Sequence, residues 1–220
     1  MTALIVPIDG QGVLGWADQS GAGNHATQGG ANLYPTYQGA IQNNLPMLKF
    51  DGTDDYLSVN GLAQHFDGAD APWTVAIAFK KVTNVGTDAL FSCGRSTSTT
   101  PFVQISTGAA TAYTVTKRDD ANVSAQVNLS GVTPNTSFHI GIFRHNGTTV
   151  DAWLDGVQRA TAAASDVGTL TLDRASIGAL VRSVIGDYAD AYIGEFLAYN
   201  AAISDGNEAS LNTYMTDKWT

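Results

Sequence analysis

Apolar and polar residues alternate along most of this chain, and a period of two is the mark of half-buried β-strands. The clearest run, W-T-V-A-I-A-F-K-K-V, covers residues 73–82. It puts Trp73, Val75, Ile77 and Phe79 on one face and Thr74, Ala76, Ala78 and Lys80 on the other. Small residues opposite a bulky face predict a strand covered on both sides, in the middle of a sheet. The same alternation predicts strands near 47–50, 56–59, 89–93, 102–106, 112–117, 123–129, 138–145, 149–154, 175–180 and 191–200.

Turn chemistry separates these runs. Asn146-Gly147, Asp155-Gly156 and Asp51-Gly52 each read as a hairpin, because a type I′ turn needs positive φ at both central residues. About eleven strands with such turns and no βαβ rhythm imply antiparallel pairing. One helix is predicted within 204–219. Ser204 caps it, Asp205 and Glu208 suit its positive end, and Leu211 and Met215 face the sheets with Ile203 or Trp219 beside them. No linker or internal repeat divides the chain, so a single domain over 1–220 is expected, with 1–12 as an N-terminal arm or edge strand.

Composition supports a folded β protein. The 220 residues are 44% hydrophobic and 14% charged, with 23 glycines for tight turns. A net charge of −9 argues against a nucleic-acid or anionic-membrane surface. No apolar run approaches the ~20 residues of a membrane span. The start M-T-A-L-I-V-P-I-D-G lacks the basic region of a signal peptide, so cytoplasmic synthesis is expected and the four N-x-S/T sequons carry little weight. The single cysteine, Cys93, lies in an apolar run and is expected to be buried and inert.

Five blocks then occur in order. They are W-A-D-Q-S-G-A-G-N-H-A from Trp16, F-D-G-T-D-D-Y-L from Phe50, W-T-V from Trp73, W-L-D-G from Trp153, and I-G-E-F-L-A-Y-N-A-A-I-S-D from Ile193, closed by Tyr214, Lys218 and Trp219. Together they resemble the laminin-G-like, concanavalin-A-like jelly-roll family, found in bacterial surface proteins and bacteriophage virion proteins. The resemblance implies an all-β, two-sheet antiparallel jelly-roll sandwich with a short C-terminal helix.

Catalytic patterns are sparse. Glycosidases on this fold carry paired carboxylates, yet Glu195 and Glu208 are the only glutamates and no E-x-D-x-E occurs. No G-x-S-x-G appears, and His139 and His145, about 20 Å apart along one strand, are too distant to share a metal. No enzyme activity and no obligate cofactor are expected. Calcium takes oxygen ligands from such loops, and Asp18, Asn24, Asp51, Asp54 and Asp55 are its candidates. For carbohydrate, an aromatic platform beside planar polar groups is sought, and Tyr113, Gln104, Arg95, Lys117 and Arg118 are the candidates.

The first functional expectation is a non-enzymatic virion component, a head decoration or tail-associated protein. Leu4 to Ile8 would dock on another virion chain, with a homo-oligomer following by analogy. The alternative is a carbohydrate-binding module of a bacterial surface or secreted protein, contacting cell-surface polysaccharide. A glycoside hydrolase or lyase comes third. The expected location is the virion, or, on the alternative, the extracellular space or bacterial surface.

Overall fold

A computed structural model describes residues 8–30, 32–108 and 112–220. Residues 1–7, which hold most of the expected docking run, lie outside the described residues. The strands form two large antiparallel sheets and a small ribbon, numbered here in chain order. Edge to edge, the eight-stranded sheet is β1 (Gly15–Trp16), β2 (Ala26–Thr27), β5 (Leu57–Ser58), β14 (Arg174–Ile177), β7 (Asp88–Gly94), β8 (Phe102–Thr107), β9 (Tyr113–Arg118) and β10 (Ser124–Asn128). The seven-stranded sheet is β13 (Val157–Ala164), β12 (Thr149–Leu154), β11 (Phe138–His145), β6 (Trp73–Lys81), β17 (Asp190–Tyr199), β4 (Leu45–Asp51) and β3 (Thr36–Gln42). The ribbon pairs β15 (Leu180–Val181) with β16 (Ile185–Gly186), and the helix α1 spans Asp205–Trp219.

The chain passes repeatedly from one sheet to the other, as in a jelly roll, and the core lies between them. There β6 contributes Trp73, Val75, Ile77 and Phe79, as the alternation predicts, against Phe91, Val103, Ile105, Tyr113 and Val115 of the eight-stranded sheet. Burying one such side chain contributes about 1.5–3 kcal/mol. The other face of β6 shows the reason for its small residues. Ala76 and Ala78 join Met47, Ile140, Ile142 and Trp153 under the helix, which buries Leu211, Met215 and Trp219 against them. Ser204 caps the helix, accepting from Asn207 N at 3.3 Å.

The turns depart from expectation in two places. Asp155-Gly156 is the predicted turn, with φ of 52° and 73° between paired Leu154 and Val157. At 146–147 only Gly147 has positive φ, and Asn146 Oδ1 instead accepts from the N–H groups of Thr148 and Thr149. Asp51-Gly52 is not a hairpin, because β4 and β5 belong to different sheets. The β3–β4 hairpin turns on Asn43 and Asn44, with φ of 46° and 59°. The predicted strand 175–180 stops at Ile177, where Gly178 at φ 91° turns the chain into the ribbon. Among the described residues no helix is long and apolar enough to cross a membrane.

Candidate functional site

The outer face of β8–β10 is built by strand parity. Val103, Ile105, Val115 and Val127 point into the core, so their neighbours point away from it. Pairing register aligns these outward residues in three cross-strand rows: Phe102, Arg118 and Ser124; Gln104, Thr116 and Gln126; Ser106, Thr114 and Asn128. Eight of these nine positions are polar; Ser124, Gln126 and Asn128 of β10 are exposed, Arg118 is half-buried, and Phe102, Gln104, Ser106, Thr114 and Thr116 are buried. Ser106 and Thr114 share a hydrogen bond of 2.7 Å, and Gln126 Nε2 donates to Asn128 Oδ1 at 2.8 Å. The one aromatic ring, Phe102, meets two guanidiniums, with Arg118 4.8 Å and Arg182 5.2 Å from its centroid.

The β15–β16 ribbon delivers Arg182 to this face. It crosses close over β7 because Gly94 carries no Cβ, which would collide with the Val181 carbonyl. Ser92 Oγ donates to Ala179 O at 2.7 Å and accepts from Val181 N at 3.0 Å, fixing the ribbon to the sheet. Asp187 follows the ribbon, at φ 48°, and accepts from Gln104 Nε2 at 2.9 Å.

The sequence-predicted sugar residues are divided between two faces. Gln104 and Arg118 lie on the outer face, and Arg95 stands beside it, 3.7 Å from Asp120. Tyr113 and Lys117 point inward. Tyr113 packs edge-on against Phe79, accepts from Asn135 N at 3.3 Å, and burial pushes its phenol up to about 12. Residues 113, 115 and 117 share the core face, so their parity already separated them from Arg118. Phe102, Thr116, Gln126 and Asn128 were missed although their spacing places them on one face. Arg182 had no local signal, because a ribbon distant in sequence brings it there.

Lys117 ends against His145 in the core, Nζ to Nε2 at 2.9 Å. On the other side of the ring, Nδ1 lies 3.0 Å from Ala71 O and 3.2 Å from Gly147 N, so both ring nitrogens have partners. Burial first, and the Lys117 charge second, push His145 down to about 4; burial likewise lowers Lys117. Between the ordinary histidine value near 6.5 and about 4 the unfolded chain holds the extra proton, so stability falls as pH falls through that window. The expected loss is up to about 3 kcal/mol, about 1.4 per pH unit. Asp55, raised to about 6 by burial and then by Asp51, opposes this in part, since its folded form keeps a proton up to about pH 6 while the unfolded chain loses it above the ordinary carboxylate value. Urea unfolding from pH 7 to 4.5 checks it: His145→Gln is expected to flatten the pH slope, and an unchanged slope would contradict the assignment.

A separate cleft of about 700 Å³ opens where β17 leaves β4. The two strands pair only through Ile193, and beyond it the cleft is lined by Phe196, Tyr199, Trp16, Asp18 and Tyr214. Its walls come from the first and last blocks of the sequence signature. Asp18 rigidifies the first, accepting from Ser20 N at 2.8 Å and Asn24 N at 2.9 Å; the Ser20 hydroxyl first, and then these backbone bonds, bring its carboxyl down to about 2. Glu195 anchors the other, accepting from Tyr214 Oη at 2.6 Å, Lys218 Nζ at 3.0 Å and Trp219 Nε1 at 2.6 Å. The strand glutamate is thus committed to holding the helix.

The calcium candidates also divide. Asp18 and Asn24 serve their own loop, while ligand oxygens of Asp51, Asp54 and Asp55 lie within 4.8 Å of one another. Three carboxylates at that spacing can hold a cation such as calcium. A proton on Asp55 relieves the same repulsion.

No family model matches the chain, and no curated protein matches it. Solved structures do resemble it. The CBM40 domain of the Ruminococcus gnavus IT-sialidase, bound to α2,3-sialyllactose, is 14% identical over 66% of this chain and 83% of its own, with a TM-score of 0.56. The K499G mutant of NanB sialidase from Streptococcus pneumoniae is 18% identical, with a TM-score of 0.60, over 74% of this chain and 27% of its own. Botulinum neurotoxin type C, whose cell entry depends on interaction with two ganglioside molecules, is 7% identical over 93% of this chain and 51% of its own, at 0.56. At these identities the likeness shows the fold alone: a jelly-roll, concanavalin-A-like sandwich.

Proposed function

We propose that this chain is a glycan-binding module that works through the outer face of β8–β10. The observation that carries this reading is the register-aligned polar face, open to solvent at Ser124, Gln126 and Asn128 beside Arg118. Planar amides and hydroxyls exchange hydrogen bonds with sugar hydroxyls, while Phe102, itself buried, holds the two guanidiniums at the edge of the face. Binding of sialyllactose by one neighbour and dependence on gangliosides in another support the same class. They favour the carbohydrate-binding alternative from the sequence over the virion component, for which none of the neighbours described above speaks. The reading places the chain where glycans are displayed, at a cell surface or in the extracellular space, and needs no catalytic step.

A glycan array probed with the whole chain tests it. Binding to a defined subset of glycans is expected, reduced about tenfold or more by combined Arg118→Ala and Gln126→Ala. Tyr199→Ala, in the cleft, is expected to leave it unchanged. Silence across the array would overturn the function, and loss through Tyr199→Ala alone would overturn the site.

A further inference from the structure

Resting on the glycan-binding reading, we infer that the preferred sugar carries a carboxylate, received by Arg118 and Arg182 where both reach the ring of Phe102. The charge pattern argues for this. The chain has 20 acidic and 11 basic residues, and among the described residues four of its six arginines lie outside ion-pair distance of any carboxylate, Arg118 and Arg182 being the two that share one aromatic ring. Arg144 binds Asp151 and Asp205, and Arg95 lies near Asp120. Among the described residues, neither Arg118 nor Arg182 has a carboxylate within ion-pair distance. Asp187 supports the charge of Arg182 from farther off, while its Oδ2 accepts from Gln104.

The two cations are instead held beside each other. Arg118 Nε donates to Ser124 Oγ at 2.8 Å, and Arg182 NH1 donates to Thr99 O at 2.8 Å. Those bonds fix the side chains without neutralising them. Arg182 Nε is buried and donates to nothing in the described protein. Burial, and then the Arg118 charge, lower the pKa of Arg182, so the arrangement costs the folded protein free energy that an arriving anion recovers. A guanidinium matches a carboxylate through two parallel N–H donors, and Phe102 keeps both forks oriented across its ring. The exposed Ser124, Gln126 and Asn128 beside the pair then meet the neutral hydroxyls of the same sugar. A phosphate would satisfy the cations as well, but the adjoining polar rows suit a polyhydroxylated ring.

Isothermal titration of the whole chain with matched pairs separates the two claims. The probes are 3′-sialyllactose against lactose, and a glucuronic-acid disaccharide against its glucose counterpart. The acidic member of at least one pair is expected to bind roughly ten- to a hundredfold more tightly. Arg182→Ala and Arg118→Ala should each remove most of that preference, and Arg182→Lys should restore only part. Circular dichroism of each variant confirms that it is folded. Equal binding of both members, or a preference that survives both alanine variants, would overturn the carboxylate inference while leaving glycan binding intact. No binding of any sugar here, with silence on the array, would overturn both.

Discussion

Asp88→Ala is expected to destabilise the protein by about 3–5 kcal/mol, the cost of leaving a buried charge without its partner. Lys81 is fully buried at the end of β6, and its ammonium lies 2.7 Å from Asp88 Oδ2 on β7. Among the described residues no aligned hydrogen bond reaches that ammonium, so the contact is one of charge on charge. Asp88 also accepts from Thr107 Oγ1 at 3.0 Å and Asp190 N at 2.9 Å, tying both sheets together. Urea denaturation measures the loss. Replacing both partners, with Lys81→Met and Asp88→Leu, should recover much of it, because apolar groups leave no stranded charge. A double variant as unstable as Asp88→Ala would show that the bonds to Thr107 and Asp190 dominate.

Trp219→Ala is expected to cost a similar ~3–5 kcal/mol and to loosen the whole helix. Trp219 is 2% exposed, stacks on Phe138 with centroids 5.9 Å apart, and donates to Glu195. It lies flat on β17 because Gly194 has no Cβ, so Gly194→Ala should lift the indole and reproduce part of the loss. Glu195→Gln keeps the shape and weakens the charged bonds, with about 1–2 kcal/mol expected. Near-ultraviolet circular dichroism and thermal melts measure all three. Wild-type stability in Trp219→Ala would mean that the helix only rests on the sandwich.

Much of this architecture was legible in the sequence because the two-residue period is local. The faces of β6, the Asp155-Gly156 turn and the Ser204 cap all follow from neighbours within a few positions. β3 was missed: T-Y-Q-G-A-I-Q is interrupted by Gly39, and the strand carries a register shift between Gln38 and Gln42. Asn43-Asn44 was missed as a turn since it lacks glycine, although asparagine tolerates positive φ. The candidate site was half legible. Gln104 and Arg118 were found, and parity correctly applied would have set Tyr113 and Lys117 aside. Arg182 depends on Gly94 and Ser92 holding a ribbon far along the chain, which no local pattern reports. Glu195 looked like an unpaired acid for the same reason, because its partners sit on the helix.

The central claim is that sugar is received on the outer face of β8–β10. Titrating isotope-labelled protein with 3′-sialyllactose, while recording backbone amide shifts by nuclear magnetic resonance, tests it most directly. Progressive, saturable shifts at Gln104, Thr116, Arg118, Gln126 and Arg182 are the predicted result. Shifts confined to the cleft around Trp16 and Tyr199, or none up to millimolar sugar here and with the array glycans, would contradict it.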